Sequence, residues 1–115
     1  MSLPVHDGLE LEEVLALTRD RDPRRRKWAV RQLCPCHLKH NTAHVWDRLI
    51  TMATDDDPQV RSTVLHLLCD GSPRSREQEV IAALQRMQHD TEVGLRRRAR
   101  KVLAQYRRTG TVNVL

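Results

Sequence analysis

The stretches DPRRRKWAVRQLC at 22–34 and DPQVRSTVLHLLC at 57–69 superimpose without a gap, 35 residues apart, and a further 35 lands on EVGLRRRARKVLA at 92–104. One unit therefore recurs three times in a chain of 115 residues, which leaves room for little except an array of that unit. Arg26, Arg61 and Arg96 fall in one column, Ala29, Val64 and Ala99 in a second, and Leu33, Leu68 and Leu103 in a third. The preceding segments keep the same register: Leu11 with Trp46 and Ile81, Val14 with Leu49 and Leu84, Leu17 with Met52 and Met87, then Asp20, Asp55 and Asp90.

Apolar columns one helical turn apart predict an amphipathic helix for the first half of each unit, and the columns at 29 and 33 predict another for the second. Between them DRDP and DDDP place a turn. Pro23 and Pro58 then occupy the first turn of the second helix, where a missing N–H costs nothing. The expected organisation is one domain of three helical hairpins, at about 6–40, 41–75 and 76–110, with a tail at 111–115. A hairpin whose second helix opens Asp-Pro-x-x-Arg-x-x-Ala-x-x-x-Leu resembles the HEAT repeat. That resemblance covers nearly the whole chain and implies an all-α, right-handed α-solenoid of six helices. It also implies structural pairs in which Asp22, Asp57 and Glu92 meet Arg26, Arg61 and Arg96. Glu92 and Val93 replace the Asp-Pro of the other two units.

A solenoid must turn polar where no neighbour covers it. The column Glu10, Val45, Val80 is polar only in the first unit, whereas Val30, Leu65, Arg100 and Leu15, Ile50, Gln85 become polar only in the last. This is the pattern expected of a complete array with its own caps. With no apolar run long enough to span a bilayer and no signal-peptide pattern at the N-terminus, a soluble, cytoplasmic protein is expected.

The densest chemistry lies in LCPCHLKHNTAH at 33–44. Cys36, His37, His40 and His44 supply four N/S donors, enough in principle for tetrahedral zinc and a metal- or redox-sensing role. Against that, Cys34 and Cys36 flank a single proline, where structural sites separate paired cysteines by two to four residues. The equivalent segment of the next unit, CDGSPRSREQ at 69–78, turns the same corner without ligands. Cys34 and Cys69 share a column with Ala104 and read as small packing residues. The expectation is therefore no cofactor. HEAT-like diiron enzymes use recurring His-Glu pairs, and the chain contains no His-Glu dipeptide.

No nucleophile elbow, P-loop or dinucleotide fingerprint is present, so no enzymatic activity is expected. Asp55, Asp56 and Asp57 fall in the turn and read as caps and pairing partners. The net charge of +5 directs attention to an acidic partner. Placing the core columns at 29 and 33 leaves a face of the second helices bearing Arg24, Lys27, Trp28, Arg31, His66, Arg97 and Lys101, the candidate partner-binding residues. An acidic protein is the first expectation and nucleic acid the alternative, weakened because the middle unit breaks the basic stripe and few aromatics are available for base stacking. No membrane partner is expected.

Overall fold

A computed structural model describes residues 10–34 and 43–114. Its α-helices are α1 (Leu11–Leu17), α2 (Pro23–Gln32), α3 (Ala43–Thr51), α4 (Pro58–Leu68), α5 (Glu77–Met87) and α6 (Val93–Thr109). Short 3₁₀ turns at Met52–Thr54 and Arg74–Arg76 extend α3 and introduce α5. Within each unit the two helices pack on each other, and across units α2 lies along α4 while α3 touches α5. First helices thus form one layer and second helices another, in a body of 40 × 28 × 18 Å whose shortest dimension matches two helix layers.

Every column named from the sequence as core is buried in at least two of its three positions. Ala29, Val64 and Ala99 are inaccessible, as are Val14, Leu49 and Leu84, and Leu33, Leu68 and Leu103 are at most 5% exposed. Trp46 is buried beside Leu11, while Ile81 packs on the core edge. The end columns also follow the sequence: Val45 and Val80 are buried and Glu10 exposed, and Val30 and Leu65 are buried where Arg100 is exposed.

The helix starts show how the turn sequence works. Pro23 and Pro58 occupy the first helical turn, and the preceding aspartates cap it. The Asp22 carboxylate accepts from the Arg24 N–H, and that of Asp57 from the N–H groups of Gln59 and Val60. Glu92 stands at the same position in the third unit with no side-chain cap bond, consistent with its longer side chain.

The Asp-Arg pairing differs from the expectation. Arg26 does not meet Asp22 but reaches forward to the next unit, with Nε and Nη2 donating to Asp55 at 3.0 and 3.1 Å and Nη2 also to Asp56 at 2.9 Å. Arg61 repeats this on Asp90 at 2.9 and 3.0 Å rather than pairing with Asp57. Arg96 donates to the backbone carbonyls of Asp90 and Thr91 rather than to Glu92. The capping aspartates are already engaged with helix N–H groups, so the arginines use the aspartate that closes the first helix of the following unit. Each arginine also donates to the carbonyl of its own unit's closing aspartate, at Asp20, Asp55 and Asp90. One guanidinium thereby fixes the turn of its own hairpin and the rotation of the next.

The C-terminal segment packs onto the array. Gly110 ends α6 with a left-handed φ of 76°, which favours glycine. Val112 is then 1% exposed, and Asn113 clamps the loop between the second and third units. Its Oδ1 accepts from the N–H groups of Gly71 and Ser72, both at 2.8 Å, and its Nδ2 donates to the Ser72 carbonyl.

Candidate functional site

The second-helix layer carries a groove of about 570 Å³ built from three helices. α2 contributes Lys27, Arg31 and Gln32, α4 contributes Gln59, Ser62, Thr63, His66 and Leu67, and α6 contributes Arg98, with Cys34 at the end of α2. The spacing explains the grouping. Lys27 and Arg31 stand one turn apart on α2, Ser62 and His66 one turn apart on α4, and the packing of α2 along α4 sets the two rows side by side.

No carboxylate is among the described residues that line this groove. Two of its basic side chains are held by neutral groups: Lys27 Nζ donates to Gln59 Oε1 at 3.2 Å and Arg98 Nη1 to Ser62 Oγ at 2.6 Å. Arg31 is exposed. His66 lies on the rim with Nε2 3.7 Å from Asp70. Cys69, at the end of α4, does not line the groove; its buried thiol is pushed up to about 12, chiefly by burial and against the opposing influence of Arg98, so it stays protonated and inert.

The residues singled out in the sequence divide into three groups. Lys27, Arg31 and His66 converge on the groove. Arg24 and Trp28 border a separate hollow with Leu17, Asp22 and Arg25, because they occupy the neighbouring face of α2. Arg97 and Lys101 are exposed and do not line the groove. The α6 contribution comes instead from Arg98, one position on in helical phase, in the column of Trp28 and Thr63. Gln32 was also missed, although a signal existed: its column continues with Leu67 and Val102, both buried, so a glutamine there breaks an apolar pattern.

Of the proposed metal ligands, Cys36, His37 and His40 lie outside the described residues. His44 is on α3, with Nε2 3.4 Å from Glu12 on α1. Among the described residues no group of three or more His, Cys, Asp or Glu side chains is placed to hold a metal ion. The acidic turn serves as caps and pairing partners: Asp55 and Asp56 receive Arg26, and Asp57 caps α4. Among the described residues no helix is long and apolar enough to cross a membrane.

A family model described as HEAT repeats matches residues 11–104. The chain belongs to the HEAT-repeat family. Its all-α helical-repeat solenoid is the architecture of that family, and HEAT repeats generally mediate protein–protein interaction. Neither the curated proteins nor the solved structures gave a match.

Proposed function

We propose that this HEAT-repeat chain is a noncatalytic interaction module that receives an acidic segment of a partner protein in the groove across α2, α4 and α6. The observation that carries the reading is the lining itself, with Lys27, Arg31, His66 and Arg98 present and no carboxylate among the described lining residues. Lys27, Arg31 and Arg98 share a concave, partly desolvated surface whose described lining residues supply no carboxylate, which raises the local concentration of anionic ligands and favours them on binding. Trp28 and Arg24 flank the groove on the other side of α2 and provide an apolar and cationic rim for a larger partner. Nucleic acid is the less favoured occupant because the described lining residues include no Phe, Tyr or Trp on which a base would stack.

Binding of fluorescein-labelled deca-glutamate and of a labelled single-stranded oligonucleotide, followed by anisotropy at about 50 and 200 mM salt, tests this reading. The expected result is saturable peptide binding that Lys27→Glu combined with Arg31→Glu abolishes. An oligonucleotide that outcompetes the peptide and loses about 10³-fold in affinity over that salt range would assign the face to nucleic acid instead. Peptide binding indifferent to the double charge reversal would remove the groove from the account.

A further inference from the structure

Gln32 is 6% exposed, lines the groove, and has a side-chain Oε1 that is shielded from solvent and accepts no hydrogen bond among the described residues. An unmet buried acceptor is costly, since it has lost water without gaining a donor. The repeat shows that the fold has no use for it, because the equivalent positions are Leu67 and Val102, 2% and 3% exposed. A leucine or methionine would satisfy the packing demand of the column. What glutamine adds is an acceptor beside a cluster of cations.

We propose that the groove takes its acidic ligand as an extended peptide and that Gln32 reads the peptide main chain, accepting one backbone N–H while Lys27, Arg31 and Arg98 hold the flanking carboxylates. This rests on the acidic-partner reading above and specifies it. A peptide main chain supplies the N–H donor that Oε1 requires, whereas phosphate and sulfate groups themselves carry only acceptors and would leave Oε1 unmet. The terminal torsion of a glutamine is soft, so the amide turns to the groove surface without leaving its rotamer well. Lys27 and Arg98 are already steadied by Gln59 and Ser62, neutral acceptors that leave their charge available to carboxylates. Alternate side chains of an extended strand point to opposite sides, so one residue in two presents a carboxylate to the cations while the main chain passes Gln32.

The test is a cycle on the intact chain with two probes, fluorescein-labelled deca-glutamate and the same peptide with alternate backbone amides N-methylated, each against wild type and Gln32→Met. Wild type should prefer the unmethylated peptide, and Gln32→Met should weaken that peptide about tenfold, as expected for loss of one hydrogen bond from a desolvated site. The variant should then scarcely distinguish the two peptides. Its melting temperature should equal or exceed that of wild type, since an unmet acceptor is removed. Unchanged peptide affinity in Gln32→Met, or a methylation penalty equal in both proteins, would overturn the role of Gln32 while leaving the acidic groove standing. A lower melting temperature would overturn it differently, by showing that Oε1 has a partner within the fold. Failure of deca-glutamate to bind either protein would instead remove the acidic-partner reading, and this inference with it.

Discussion

Replacing Arg61 by leucine isolates the ion pair that joins the second unit to the third. Arg61 and Asp90 are only 11% and 8% exposed at their side chains and meet through two hydrogen bonds of 2.9 and 3.0 Å. The substitution leaves the buried Asp90 carboxylate without its cationic partner, held only by uncharged donors of Thr91 and Glu92, and frees the Asp55 carbonyl that Arg61 also satisfies. Removing one partner of a buried, doubly bonded pair costs about 3–5 kcal/mol, a large share of the roughly 5–15 kcal/mol that stabilises a domain. Urea unfolding, by linear extrapolation, measures the loss. Asp90→Asn keeps the acceptor for the Glu92 N–H while removing the charge, so the double variant should recover part of the loss, with a coupling of about 2–3 kcal/mol.

The pH dependence has a definite sign. Burial pushes the Asp90 carboxyl up, but hydrogen bonds from Arg61 and the Glu92 N–H, together with the arginine charge, outweigh it and hold the pKa below the usual carboxylate value. A depressed folded-state pKa contributes stability above the unfolded value near 3.9 and loses it as pH falls through the folded value. Without Arg61 the burial effect dominates, so Arg61→Leu should lose less of its remaining stability on acidification, and the gap from wild type should close below about pH 4. A coupling under about 0.5 kcal/mol, the value of an exposed surface pair, would refute the claim that these pairs set the stacking of the units.

Three further outcomes follow from the same structure. Asn113→Ala should cost about 1–3 kcal/mol and speed amide exchange at Gly71 and Ser72, because the buried Ser72 loses the acceptor for its N–H; unchanged exchange would show that the tail does not clamp this loop. The Cys69 thiol, pushed up to about 12 by burial, should resist aromatic disulfide reagents at pH 8 until denaturant is added, and labelling in native buffer would contradict its burial. Elemental analysis of protein purified without chelator should find no stoichiometric metal, and near one zinc per chain, lost in Cys36→Ser, would make the Cys/His segment a functional centre.

The fold was legible because a fixed period turns single residues into columns. Ala29, Val64 and Ala99 carry little information apart, yet together they mark a helix face that admits only small side chains. The ion pairs were half legible: the arginines were correctly singled out, but the nearest aspartate in the motif is consumed by helix capping. The true partners lie 29 residues ahead, across a turn whose direction no local spacing reveals. The groove needed helical phase as well as register. Arg97 and Arg98 are neighbours in sequence and point about 100° apart on α6, so only the placed helix decides which of them faces Ser62. Gln32 was visible as a polar break in an apolar column, but its significance required knowing that the column borders a cationic groove. Asn113 gave no such signal, since its partners lie 41 and 42 residues away in a loop outside the repeat's core columns.

The most direct test of the central claim is an amide chemical-shift map of the isotope-labelled chain titrated with deca-glutamate. The account predicts saturable shifts concentrated at Lys27, Arg31, Gln32, Ser62, His66 and Arg98, the walls of one groove on three helices. Shifts spread along the exposed arginines of α6, centred on Arg97, Arg107 and Arg108, or absent at saturating peptide, would contradict it.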